Sequence, residues 1–187
     1  MTKARTLADF NTTSINPALL DDTGTIPSAL LAGVGGGKVL QTQSNTSNSR
    51  TVVNDGNING VGLSQTITLS SNTSKVLVMV SAQYGADSNN QAVTYVGAKF
   101  KLYRNHSGIS ETEIFSTHAQ HNRPENSGMD MIFQDTCSIS YIDSPATTNE
   151  VTYELKAQND PASSTLEVIA GGSNEYNKTI TLIEIAA

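Results

Sequence analysis

The sequence contains no tryptophan, one cysteine and few charged residues, and each shortage excludes a class of protein. Because Cys137 is the only cysteine, no disulfide can form within the chain, and the fold is not a disulfide scaffold. Aromatic residues make up only 5% of the chain, so the core is expected to consist of aliphatic side chains. Charged residues make up only 15%, so Ser, Thr and Asn must fill much of the surface, as in extracellular or virion proteins.

The chain also lacks the basic surface and the long apolar runs that two other functions require. Its formal net charge is -6, whereas a nucleic-acid partner needs clustered Lys and Arg to neutralise phosphates. No apolar run approaches transmembrane length, so we expect no membrane insertion. Met1–Phe10 is not followed by an apolar segment, so no secretory leader is expected and the chain is predicted to fold in a cytoplasm.

Beyond residue 37 the sequence consists of short apolar or alternating segments separated by turn residues, which is typical of β-strands. The ten predicted strands are Lys38–Gln43, Arg50–Asn54, Leu63–Leu69, Lys75–Tyr84, Tyr95–Arg104, Glu111–His118, Met129–Ile142, Val151–Ala157, Thr165–Ala170 and Thr179–Ile185. No segment between them has helical periodicity. Residues 38–187 are therefore predicted to form an all-β domain, an antiparallel two-sheet sandwich of the jelly-roll type.

Lys75–Tyr84, with the sequence KVLVMVSAQY, is the most apolar of these strands. Val76, Val78 and Val80 point to one face, and Leu77 and Met79 point to the other. Because both sets are apolar, the strand is predicted to lie at the centre of a sheet with both faces covered. Leu77→Asp is then expected to unfold the protein.

Two further strands alternate clearly enough to assign their inward faces. Val96, Ala98, Phe100 and Leu102 alternate with Lys99 and Lys101, and a second set, Val151, Tyr153, Leu155 and Ala157, alternates with polar residues. Cys137 lies on the apolar face of Met129–Ile142 and is predicted to be a small buried hydrophobe.

Residues 1–37 have a different composition and are predicted to form an N-terminal arm that ends in a Gly-rich joint. Thr6–Phe10 and Ile26–Gly33 each have the length of a short helical turn, and neither is stable without a partner surface. A disordered tail is the alternative. The arm carries spaced apolar residues that a simple tether would not need, so we infer that they fill grooves on a partner: Leu7, Phe10, Ile15, Leu19, Leu20, Ile26, Leu30 and Leu31.

No combination of residues in the sequence indicates catalysis or a cofactor. The segment Gly33–Val39 lacks the spacing of a phosphate-binding loop, and no G-x-S-x-G motif is present. The histidines are His106, His118 and His121, and their spacing offers too few ligands for zinc within one chain. They are predicted to be exposed loop residues; three copies of one histidine around a trimer axis is the alternative. The sequence therefore predicts no enzyme, and no catalytic, cofactor-binding or metal-binding residue.

Four segments resemble a domain recurrent in tail fibres and related structural proteins of tailed, cyanophage-like phages. They are Gly37–Gln41 (GKVLQ), Leu63–Ser81 (LSQTITLSSNTSKVLVMVS), Ser138–Thr147 (SISYIDSPAT) and Ile180–Ile185 (ITLIEI). Domains of this kind are typically trimeric β-sandwiches displayed at the end of a thin N-terminal segment. The resemblance therefore implies a homotrimer on the exterior of a virion, with other phage structural proteins as partners.

Two functions are compatible with this resemblance. In the first, the chain is a short tail fibre or receptor-binding module that docks by its arm and presents loops to a host surface glycan; its receptor-binding residues are unknown. In the second, it is a capsid decoration or cement protein whose arm binds capsid subunits. A glycan-degrading enzyme is a third class, but no residue in the sequence supports it.

Overall fold

The computed structural model describes residues 38–87, 95–122, 132–160, 165–168 and 177–187. These residues form ten β-strands: β1 (Val39–Ser47), β2 (Thr51–Val53), β3 (Asn59–Thr68), β4 (Lys75–Asp87), β5 (Tyr95–His106), β6 (Ile109–Asn122), β7 (Ile132–Asp143), β8 (Glu150–Asp160), β9 (Thr165–Val168) and β10 (Lys178–Ile185). All ten predicted strands are present, most of them longer than predicted. Within these ranges there is no helix that could cross a membrane.

The strands form two antiparallel sheets. Sheet A contains β1, β10, β4, β9 and β2 in that order, and β7 pairs with the other edge of β4. The first part of β4 pairs with β10, whereas its last four residues pair with β9, so the sheet is four strands wide along its length. Sheet B contains β3, β8, β5 and β6.

The pairing between sequence-distant strands defines the topology. β1 pairs with β10, β3 with β8, β4 with β7, and β5 with β6. These pairs are nested, so the chain follows the path of one long antiparallel hairpin folded over into two sheets, which is the jelly-roll arrangement. The predicted fold class is therefore confirmed.

The core lies between the two sheets and is built from alternate residues of the long strands, as the period-two pattern requires. In sheet B, the predicted inward residues of β5 and β8 are all fully buried. In sheet A, Val76, Val78 and Val80 face them. The ring of Tyr84 meets the ring of Phe100 edge-on at 4.9 Å, which joins the two sheets through an aromatic contact.

The structure corrects the prediction that β4 is covered on both faces. Leu77 is only half-buried and Met79 is 44% exposed, because both point away from the core on the outer surface of sheet A. In the described part of the chain, nothing covers that surface. A charge at Leu77 would therefore not enter the core, so the prediction that Leu77→Asp unfolds the protein is withdrawn. We expect unfolding instead from Asp at the neighbouring positions Val76 or Val78.

The prediction of an exposed His106 is also wrong, since this side chain is only 9% exposed. The β5–β6 hairpin turns at Ser107 and Gly108, and the backbone of Gly108 has a φ of 86°, which favours glycine. His106 is thus the last residue of β5 rather than part of the loop. It lies an even number of residues from Phe100 and Leu102 on the same strand, so its side chain points to the same inward face.

Candidate interaction surface

The outer surface of sheet A carries a block of uncharged side chains. Across β1, β10, β4 and β7, directly paired residues share this surface and form three rows. The rows are Thr42–Ile183–Leu77–Ile142, Ser44–Thr181–Met79–Ser140 and Thr46–Thr179–Ser81–Ser138. Eight of these twelve residues are Ser or Thr and four are apolar. We call these twelve residues the neutral face.

Four of the eight hydroxyl groups on the neutral face pair with one another between β1 and β10. Ser44 and Thr181 are hydrogen-bonded through their side chains at 3.0 Å, and Thr46 and Thr179 at 3.2 Å. Because these hydroxyls already have protein partners, covering them costs less than covering unpaired polar groups. The short side chains around Met79 also leave a shallow depression of about 280 Å³.

The outer surface of sheet B has the opposite character, because ion pairs cross it. Lys101 contacts Glu113 at 2.8 Å, and Lys156 contacts Glu111 at 2.6 Å. The ammonium of Lys156 also lies 4.8 Å from the ring centre of Tyr103. Exposed pairs of this kind add little stability, but burying them would require the removal of water from several charges. We call this surface the ionic face.

The contrast between the two faces identifies the neutral face as the candidate site. The central part of a protein–protein interface is depleted of charge and enriched in apolar groups. Met79 and Ile142 are 44% and 57% exposed and lie in adjacent rows of this face. Covering the neutral face would remove apolar area from water without desolvating a charge. Covering the ionic face would instead remove water from several charged groups.

The predicted docking residues, Leu7, Phe10, Ile15, Leu19, Leu20, Ile26, Leu30 and Leu31, lie outside the described residues. The boundary predicted at residue 37 also lies at the edge of the described part. Both therefore remain predictions.

The two remaining histidines lie on β6 and contact carboxylates. His118 Nε2 is 2.9 Å from Asp160 Oδ2, and His121 Nε2 is 3.5 Å from Asp135 Oδ2. The two side chains are paired with different carboxylates on different strands. Among the described residues, no group of three or more His, Cys, Asp or Glu side chains could hold a metal ion.

Cys137 is buried on the inner face of β7, as predicted. Burial, followed by the negative charge of Asp135, raises the pKa of its thiol to about 12. The thiolate required of a nucleophile therefore does not form near neutral pH.

Glu184 is a fully buried carboxylate that the sequence did not indicate. It accepts hydrogen bonds from the Ser70 backbone N–H at 2.8 Å, from the Ser70 hydroxyl at 2.6 Å and from Gln41 Nε2 at 2.7 Å. Burial alone would raise its pKa, but the hydrogen bonds from Ser70, Gln41 and Ser74 outweigh burial and hold the pKa below the usual 4.5. The carboxylate thus ties the β3–β4 connection to β1 and β10.

This network predicts acid sensitivity. A carboxylate whose pKa is lower in the folded state stabilises that state above its unfolded pKa, and the contribution is lost as the pH falls through the folded pKa. We expect the free energy of unfolding of the wild type to exceed that of Glu184→Gln at pH 7, and the difference to shrink between pH 5 and pH 3. Urea midpoints across this range measure it. Glu150→Gln, at an exposed position, is the control, and its free energy of unfolding should follow that of the wild type across this pH range. A difference in unfolding free energy between the wild type and Glu184→Gln that did not change with pH would contradict the assignment.

The loop that begins at Asp55 has the sequence DGNING, which matches the first six positions of a calcium-binding loop. The twelfth position carries Thr instead of the bidentate Glu. The Val61 carbonyl, at the seventh position, accepts a hydrogen bond from the buried ammonium of Lys178. The Asp55 carboxylate accepts from the Asn57 and Asn59 side-chain amides at 3.1 and 2.9 Å. These contacts define a hydrogen-bonded turn at the start of β3.

No family model and no curated protein matches this sequence. Among solved structures, a chain of infectious bursal disease virus strain Gx is 11% identical, with a TM-score of 0.33, and the match covers 82% of this chain and 38% of that chain. A mutant VP2 protein of the same virus, in derived T=1 particles, is 12% identical with a TM-score of 0.26 and coverages of 80% and 37%. This chain therefore spans less than two-fifths of their length, and at these values the likeness carries no functional argument.

Proposed function

We propose that this protein is a non-enzymatic structural protein of a phage virion, specifically a short tail fibre or receptor-binding module. Its sandwich is displayed as a homotrimer on the particle exterior for attachment to a host surface glycan. Residues 1–37 dock it to other virion proteins. The single observation that carries the proposal is the uncharged, partly apolar face on one side of a jelly roll whose other side is ionic.

The segments that resemble phage fibre domains coincide with this face. GKVLQ enters β1, and the other three segments contain the last six residues of β3, the first seven of β4, the second half of β7 and six of the eight residues of β10. Together they supply eight of the twelve residues of the neutral face. The resemblance is therefore concentrated in the sheet that presents a surface for packing, which supports a role in assembly.

The buried charged groups support a structural role rather than catalysis. Glu184, Lys178 and Asp143 are all buried, and each is engaged by hydrogen bonds within the fold. Because they are buried, none lies within hydrogen-bond reach of a substrate in solution, which a general acid or base requires.

Deletion of residues 1–33 tests the division of roles. We expect the truncated chain to retain the melting temperature of the sandwich but to fail to join particles that lack the protein, because the apolar contacts of the arm are lost. Incorporation is measured by immunoblotting of purified particles. A matched full-length variant, Leu30→Ser with Leu31→Ser, should fold normally and incorporate weakly.

Two outcomes would count against this arrangement. A truncated chain that fails to fold would place the arm within the domain, and normal incorporation would place docking in the sandwich. Immunogold labelling of intact particles then distinguishes the two locations. Label at the tail supports the receptor-binding module, whereas label distributed over the head supports a capsid decoration or cement protein.

A further inference from the structure

We infer that the neutral face is the surface through which copies of this chain contact one another. The inference rests on the proposed function, which requires a homotrimer, and it adds the location of the contact. The occupant is a second copy of the same chain.

Charge is the first reason for choosing a second copy. The chain carries a formal net charge of -6, so two copies repel each other over most of their surfaces. Contact is least costly where neither copy presents a charge, and the neutral face is such a region. A basic partner would instead be attracted to the carboxylates elsewhere on the chain.

Apolar exposure is the second reason. One row places Ile183, Leu77 and Ile142 side by side, and Met79 lies in the next row. Val39, which is 57% exposed, pairs with Ile185 and extends the apolar group by these two residues, and the exposed Lys75, which pairs with Ile185 on β4, marks its edge. A contiguous apolar group of this kind on an otherwise hydrophilic chain is characteristic of an association surface.

Area favours a closed ring over a two-fold pair. Four strands about 4.8 Å apart, with five residues about 3.3 Å apart along each, give the three rows an area of roughly 300 Å². A stable complex buries about 800 Å² on each partner, so two copies joined only through this face would bury too little. In a three-membered ring with the neutral faces turned toward the axis, each copy contacts one neighbour through one half of its face and the other neighbour through the other half, and the surfaces that border the face add to both contacts.

Met79→Glu tests the location of the contact. The residue is exposed in the single chain, so a carboxylate there does not enter the core. In the assembly it would place a buried charge at every contact. By light scattering at micromolar concentration, we expect the wild type at three times the 19.8 kDa chain mass. Met79→Glu should be a folded monomer, with association weakened at least 100-fold. Ser116→Glu, on the ionic face, should remain trimeric.

A labelling experiment gives a second measurement if Met79→Glu does not fold. The native Cys137 is 6% exposed and reacts slowly, so the background is low. Ser140→Cys lies on the neutral face and Ser116→Cys on the ionic face, and both positions are exposed in the single chain. We expect maleimide to modify Ser140→Cys at least tenfold more slowly than Ser116→Cys in the assembly, and the two rates to converge on dilution.

The possible failures are distinguishable. A trimeric Met79→Glu, or equal labelling of the two cysteines in a trimer, would overturn the neutral face as the contact and leave the proposed function intact. A wild-type monomer at all concentrations would overturn self-association itself. If that monomer still joined particles through its arm, the virion role would stand without the trimer.

Discussion

Val78→Asp is expected to abolish folding. Val78 is fully buried at the centre of β4, between Leu182 of β10 and Tyr141 of β7. Within the described structure, no cationic group is paired with this position, so the new carboxylate would be buried without a partner. Such burial costs several kcal/mol. A single domain has a total stability of about 5–15 kcal/mol, so the folded state would be lost or nearly lost.

The matched control lies one residue along the same strand. Met79→Asp introduces the same charge on the outer face, where the side chain is 44% exposed in the single chain. We expect Val78→Asp to be insoluble or protease-sensitive, and Met79→Asp to be soluble with a cooperative urea transition. A soluble Val78→Asp with an unchanged urea midpoint would show that the register of β4 is wrong.

This contrast also shows how much of the fold could be predicted from the sequence. Short apolar or alternating segments between turn residues identified all ten strands, and period-two alternation gave the inward residues of β5 and β8, because alternate residues of a half-buried strand differ in polarity. The order of strands within the sheets could not be predicted in the same way. β1 pairs with β10 across almost the whole domain, and alternation contains no information about which strand lies beside which.

The neutral face was missed because apolar residues were assumed to be covered. The outward positions of β4 looked like core positions, and nothing in Leu77 or Met79 alone distinguishes an interior from an association surface. The available clue lay in other strands. Thr179 and Thr181 alternate with buried residues in β10, and Ser138 and Ser140 do so in β7. Adjacent strands whose outward positions carry hydroxyls and no charge indicate a surface that can be covered.

The buried polar residues were missed because their type was given more weight than their position. His106, Lys178 and Glu184 all have the parity of core residues on their strands, yet polar side chains are usually assigned to the surface. Their partners come from distant parts of the chain. Glu184 binds Ser70, for example, and Lys178 binds the carbonyl of Ser49. Parity could have placed these residues inside, but only the tertiary structure supplies the groups that satisfy them.

Asp143 at the end of β7 is the centre of the most consequential of these buried contacts. Arg104 Nη1 lies 2.8 and 2.9 Å from its two carboxylate oxygens, and the buried hydroxyl of Tyr153 donates to Oδ2 at 2.8 Å. The cluster joins β7 of sheet A to β5 and β8 of sheet B at one end of the core. The Arg104 Nε atom is buried without a hydrogen-bond partner, so the guanidinium depends on this carboxylate.

Asp143→Ala is therefore expected to lower the free energy of unfolding by about 3–5 kcal/mol, because it leaves a mostly buried guanidinium and a buried hydroxyl without their acceptor. The urea midpoint at constant slope measures the loss. Asp160→Ala is the control: the side chains of its ion-pair partners Lys99 and His118 are 40% and 37% exposed on the ionic face, and the Tyr95 hydroxyl donates to it only at 3.3 Å. Water can replace the lost carboxylate there, so the expected loss is about 1 kcal/mol or less. Replacing the whole cluster, as Arg104→Met, Asp143→Leu and Tyr153→Phe together, should recover most of the stability, since no buried polar group is then left unpaired.

If Asp143→Ala lost no more than Asp160→Ala, the cluster would not bind the two sheets together. If the triple variant remained as unstable as Asp143→Ala, the loss would come from packing rather than from unpaired charge.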